Sequence, residues 1–173
     1  LGTALTAEQL KLLGRYCDEI VFVYDGDSAG AQAALRNLEV LETATALVTL
    51  VVLPEGMDPD DFIRAHGPDQ FEKLLESRIT PVDYQMQMIF QAHVDQGAEG
   101  RARAAREVAE VLMKVRDDTR RLVYLNRAAD LWGRGSPQHA SAMERVIRME
   151  MNRLIRAQGP WARPRQRDHI ADT

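Results

Sequence analysis

The chain has 173 residues, 45% of them hydrophobic and 28% charged, and carries a net charge of −4. This is the balance of an ordinary globular protein rather than a fibrous or disordered one, and no apolar run approaches the roughly 20 residues that a membrane-spanning helix needs. Residues 1–100 hold 6 Lys and Arg against 17 Asp and Glu, whereas residues 101–173 hold 16 against 9, so an acidic part precedes an arginine-rich one. Such asymmetry points to a polyanionic partner, set against a plainer reading in which the arginines solvate helix faces. The single cysteine, Cys17, excludes an internal disulfide, fits a reducing cytosol and reads as a packing residue. The N-terminus has no basic or apolar leader and no Met, so the chain reads as a piece of something longer.

In chain order, Thr6 with Gln9 three residues on predicts a capped helix to about Arg15. The run "EIVFVY" predicts a strand buried on both faces. After "DGD", Ser28 is placed to cap a helix to about Glu42, whose Ala29, Gly30, Ala31, Ala33 and Ala34 let it lie close against a sheet. "ALVTLVVL" from Ala46 predicts a second buried strand. Strand, helix and strand at this spacing make a βαβ unit with parallel strands and a right-handed crossover. Asp58 suits an N-cap, Pro59 the first helical position, Asp60 and Asp61 the first turn, and Gly67 the end of that helix. Another short helix follows from Pro68 to about Ser77.

From Thr80 onwards the pattern is helical: about 81–95, 100–115, 118–132 and 137–157, with breaks at Gly97, Asp117–Asp118 and "GRGSP". The third of these carries Leu122, Leu125, Ala129 and Trp132 at helical spacing, a face expected to pack into a bundle. The histidines form no ligand cluster: His66 precedes a helix-ending glycine, and His93, His139 and His169 read as surface residues. The aromatics are too scattered to stack bases, and Trp132 and Tyr84 read as core. The tail, with Pro and Arg but no periodicity, reads as a basic linker. The expected division is therefore residues 1–80 as an α/β portion, 81–157 as an all-α helical bundle and 158–173 as a tail.

The strand ends carry the chemistry. In parallel α/β sheets, ligands bind beyond the carboxyl ends of the strands. Asp25 and Asp27 follow the first strand, and Asp58 and Asp60 follow the second. Residues two apart in an extended segment point to the same side, and two like charges there need a cation, a proton or open water. Hard oxygen donors without nearby His or Cys favour magnesium or manganese over zinc. One D-x-D is a weak pattern, and Asp58 and Asp60 also suit a helix start. Its recurrence after two successive strands favours the metal reading.

The segments "LGTALTAEQLKLL", "VYDGDSAGAQAALR" and "VVLPEGMDPDDFIRAHGPDQFEKLLE" resemble, in this order, the C-terminal portion of the Toprim core of bacterial DnaG-type primases. "PVDYQMQMIF" and "RLVYLNRAADLWG" resemble the helical subdomain that closes the primase polymerase region. The resemblance spans residues 1 to about 135, and more weakly to about 157. It implies a Toprim-type α/β fold with a partial parallel sheet, followed by a helical-bundle subdomain. It implies an enzyme that synthesises short RNA primers on single-stranded DNA from nucleotide triphosphates, with a 3′-hydroxyl attacking the α-phosphate. Asp25 and Asp27 fall on the family's D-x-D motif and are expected to be catalytic, ligating Mg²⁺ or Mn²⁺. Asp58 and Asp60 fall on its second acidic motif, with Asp58 the stronger ligand and Asp60 tuning the site.

The family's glutamate of a "VEG" motif, its upstream basic residues and its zinc-binding domain have no counterpart in the sequence. The segment alone is therefore expected to be inactive. The contact with the replicative helicase is expected beyond residue 173, and the setting is the bacterial cytoplasm at the replication fork. Arg101, Arg103, Arg120 and Arg121 are candidate contacts to template or hybrid, set against pairing with Glu107, Glu110 and Asp118. The rival functions are another Toprim enzyme (a topoisomerase or nuclease), a phosphatase-like D-x-D protein, and a non-catalytic primosome interaction module. None of the tyrosines suits a topoisomerase nucleophile, and no lysine motif suits the phosphatase.

Overall fold

The computed structural model describes residues 6–25, 38–54 and 56–158, which form a parallel strand pair with flanking helices and then a helical bundle. Helix α1 (Ala7–Leu13) starts in a complete capping box: Thr6 Oγ1 accepts the Gln9 N–H and Gln9 Oε1 accepts the Thr6 N–H. Strand β1 (Glu19–Tyr24) pairs in parallel with β2 (Leu47–Val52), from Glu19 opposite Leu47 to Tyr24 opposite Val52. Of the helix expected over Ser28–Glu42, only α2 (Leu38–Leu41) falls within the described residues. Leu10, Leu41 and Val48 form a small core with Ile20, Phe22 and Val40 packed against it.

The two strands are not equally buried, contrary to the sequence reading. Val48 to Val51 of β2 are buried, but every residue of β1 is only half-buried. The reason is pairing. β2 lies between β1 and Ile79, which exchanges two backbone hydrogen bonds with Leu50 (2.8 and 3.0 Å), whereas among the described residues β1 has a ladder on one side only. At the start of β1, Glu19 accepts from the buried Thr49 hydroxyl (2.8 Å) and from Arg78 (2.6 and 3.0 Å). These bonds, Arg78 foremost, hold the Glu19 carboxyl below its ordinary value of 4.5. Cys17 is exposed rather than packed, its thiol donating to the Leu13 carbonyl.

Helices α3 (Pro59–His66) and α4 (Pro68–Glu76) meet at Gly67, whose φ of 81° places it in the left-handed region that glycine adopts at no steric cost. Four longer helices follow: α5 (Pro81–His93), α6 (Gly97–Lys114), α7 (Asp118–Gly133) and α8 (Pro137–Gln158). Thr80 and Asp117 cap α5 and α7 through their side chains. On α6, Ala104, Ala105, Val108, Ala109 and Leu112 recur at helical spacing and are buried against Tyr124, Leu125, Ala128 and Trp132 of α7 and Met143 and Ile147 of α8. Trp132 meets Phe90 edge to face, with centroids 5.0 Å apart. Gly133 lets α8 turn back against α7, since a Cβ there would lie 2.7 Å from the Ala140 Cβ and 3.0 Å from its backbone nitrogen.

Leu122, expected in the packed face of α7, is 48% exposed. The buried arc runs through Tyr124, Ala128 and Trp132, and Leu122 lies at its margin. Leu38 of α2 belongs to the bundle core, so the α/β portion and the bundle share side chains. His93, expected on the surface, is largely enclosed, with Nε2 2.9 Å from Glu107. Tyr84 is half-buried. No helix among the described residues is long and apolar enough to cross a membrane. The tail beyond Gln158 lies outside the described residues.

Candidate metal centre

Parallel pairing in register brings both strands to an end on one edge. The Leu53 N–H donates to the Tyr24 carbonyl (2.9 Å), carrying the ladder one step past β2 and anchoring the backbone just before Asp25. Asp25 is exposed and, among the described residues, makes no hydrogen bond or ion pair. After β2, a turn closed by the Met57 N–H on the Pro54 carbonyl (3.1 Å), with Gly56 at φ 79°, leads into Asp58. Asp58 Oδ1 accepts the Asp61 N–H (2.8 Å) and caps α3, as its place before Pro59 predicts. Its second oxygen stays available, because a carboxylate offers about four acceptor sites. The capping role and the ligand role are therefore compatible. Asp60 is turned instead to Arg64, at 2.9 Å, in an exposed pair. Asp27 lies outside the described residues.

The structure thus places Asp25 and Asp58 beyond the ends of two paired strands and engages Asp60 elsewhere. Among the described residues no three His, Cys, Asp or Glu side chains group closely enough to hold a metal. The donor chemistry still fits a hard divalent cation. Mg²⁺ retains several waters and is commonly held by one or two carboxylates together with substrate phosphates, and Asp25 is an exposed, uncommitted carboxylate at a strand end.

The four arginines singled out from the sequence divide into two kinds. Arg101 is exposed and has no acidic partner among the described residues, and Arg103 lies 3.9 Å from Glu99. Arg120 and Arg121, by contrast, are used inside the molecule. Arg120 grips Glu42 with both Nη atoms (2.9 and 3.2 Å) and lies over the Tyr124 ring; the Glu42 side chain is only 7% exposed. Arg121 donates to the Leu112 and Val115 carbonyls and to Asp118. Those carbonyls belong to the end of α6, where the Leu112 carbonyl also accepts the Val115 N–H (3.1 Å) and the last turn lacks its full set of i+4 donors. The sequence reading also passed over Arg145, Arg148, Arg153 and Arg156 on α8, although their three- and four-residue recurrence was visible.

A family model described as Toprim-like matches residues 1–63, and one described as the DnaB-helicase binding domain of primase matches residues 82–135. A DNA primase of Clostridium acetobutylicum is 33% identical over 133 residues, covering 77% of this chain and 22% of that protein. A DNA primase domain from Pseudomonas aeruginosa has a similar structure, with TM-score 0.62 and 32% identity over 84% of this chain and 46% of that one. A DnaG primase catalytic domain bound to single-stranded DNA superposes with TM-score 0.62 at 28% identity, over 75% of this chain and 43% of that one.

Fold and strand-end acids together define a Toprim-type domain, with a small parallel sheet and mostly helical content. Within that class, the chain corresponds to a segment of the bacterial DnaG-type DNA primases. It spans about a fifth of the length of the Clostridium relative. The helicase-binding family model overlies α5 to α7, so a match to that family lies within the chain itself.

Proposed function

We propose that this segment supplies the acidic metal-binding edge of a primase, a nucleotidyltransferase that makes short RNA primers on single-stranded DNA in the bacterial cytoplasm. The observation that carries the reading is Asp25 and Asp58 beyond the ends of a parallel strand pair, within a stretch that matches a Toprim-like family. Asp25 and Asp58, with Asp27 from the D-x-D motif, would hold the cation, and Asp60 would act through an outer water. A divalent cation bound there neutralises phosphate charge and acidifies the attacking hydroxyl. Hydroxyl, nucleotide triphosphate and template must be aligned by other parts of the enzyme as well, so the 173 residues alone are expected to be inactive. Arg101 and Arg103 keep exposed guanidiniums and are the proposed backbone contacts on α6, while Arg120 and Arg121 hold the segment together.

The helicase-binding family match supports a second role, docking of the replicative helicase on α5 to α7. The test is a primer-synthesis assay with the full-length protein that contains this segment, on single-stranded DNA with nucleotide triphosphates. Short RNA products should appear with Mg²⁺, vanish with a chelator and return with Mn²⁺. Absence of products under every metal condition would reject the reading. Retention of the purified 173-residue chain by immobilised helicase tests the second role, and no retention would reject it.

A further inference from the structure

Helix α8 packs one side into the bundle through Met143 and Ile147, with Met151 and Leu154 half-buried beside them. The opposite side carries the row Arg145, Met149, Asn152 and Arg156, flanked by Arg148 and Arg153, and these six residues line a shallow groove of about 410 Å³. Counter-charge is short along this row. Arg148 pairs with Glu144 at 2.6 Å, while Arg153 shares Glu150 with Arg106, both at 3.7 Å. Among the described residues, Arg145 and Arg156 have no acidic partner. They stand three turns apart, about 16 Å along the helix.

We propose that this outer face of α8 is a contact surface for a nucleic-acid phosphate backbone, additional to the strand-end aspartates and to α6. Two guanidiniums unpaired among the described residues, one that shares its carboxylate and one in an exposed ion pair lie on one helical stripe that complements a regular polyanion, and exposed ion pairs worth at most about 1 kcal/mol are readily exchanged for phosphates. An acidic protein is the poorer occupant. Of the central row only Met149, 60% exposed, is apolar, and Val146 and Ile155 lie on opposite margins. That falls short of the apolar centre of a standard interface of about 800 Å² per partner. The row has no aromatic side chain, so it contacts backbone without stacking bases and binds without sequence preference.

The proposal rests on the nucleic-acid reading above but is tested separately from it. Fluorescence anisotropy of a labelled single strand, and of its duplex, is measured with the 173-residue chain across a salt series. Arg145→Gln/Arg156→Gln should weaken binding about tenfold at low salt and reduce the single-strand salt slope by about 1.4, since each contact contributes about 0.7. Circular dichroism should show unchanged helix content. Arg15→Gln/Lys73→Gln, which removes the same charge from the acidic half, should leave binding unchanged. Equal losses from both double variants would reduce the effect to net charge and overturn the proposal, as would unchanged binding in Arg145→Gln/Arg156→Gln or no binding by the unaltered chain. Displacement of the strand by a polyglutamate peptide as readily as by unlabelled DNA would assign the face to an acidic protein and equally overturn it. Loss of primer synthesis with this binding intact would count against the polymerase reading alone.

Discussion

Asp25→Asn in the full-length protein is expected to abolish primer synthesis, by about a thousandfold or more, and to leave the melting temperature within a degree or two. The separation of the two effects follows from the position of the side chain. Asp25 is exposed and makes no bond to another described residue, so the amide removes no contact that holds the fold. Asp58 behaves differently because it has two roles. Asp58→Asn keeps a good N-cap for α3 and should lose activity alone, whereas Asp58→Ala should lose activity and about 1 kcal/mol of stability. Primer yield and thermal unfolding measured on the three variants separate the roles. Wild-type yield from Asp25→Asn would remove the strand-end aspartates from the chemistry.

The largest stability effect is expected at Leu112. It is fully buried on α6, where the faces of α7 and α8 meet. Leu112→Ala deletes methyl groups from a packed site that relaxes only in part, at a cost of about 3 kcal/mol. For a chain of this size each kcal/mol lowers the melting temperature by about 2–4 °C, so a fall of about 6–12 °C is expected by calorimetry. Leu122→Ala on α7 is the matched comparison. Its side chain is 48% exposed, and the same chemical change there should cost less than about 1 kcal/mol. Equal costs at the two positions would show that the bundle is not packed through the arc described.

Local chemistry was legible in the sequence. The capping box at Thr6, the cap and proline at Asp58 and Pro59, and the cap at Thr80 each need only a few consecutive residues, and all form as read. Parallel pairing followed from the spacing of two apolar runs. What the sequence hid depends on residues far apart in the chain. Arg120 is bound to Glu42, seventy-eight positions away, and nothing near either residue announces the partner. Arg121 donates to carbonyls at the end of α6, an end that its own stretch of sequence does not mark. His93 is enclosed because α6 folds back to place Glu107 beside it. The half-burial of β1 was hidden for the same reason, since an apolar run does not say how many neighbours its strand will have. The strand-end position of Asp25 and Asp58 was legible, whereas the exposed i,i+4 pair of Asp60 with Arg64 was not anticipated. The division we propose at residue 80 is likewise bridged by contacts the sequence did not reveal, with Leu38 in the bundle core and Glu42 held from α7.

The most direct test titrates Mn²⁺ into the isotope-labelled 173-residue chain and follows paramagnetic broadening of its amide signals. Signals adjoining Asp25 and Asp58 should broaden at substoichiometric Mn²⁺ while those of α8 stay sharp, and the Asp25→Asn/Asp27→Asn variant should lose the response. Broadening spread evenly over the acidic surface, or persisting unchanged in that variant, would contradict a cation held at the strand ends.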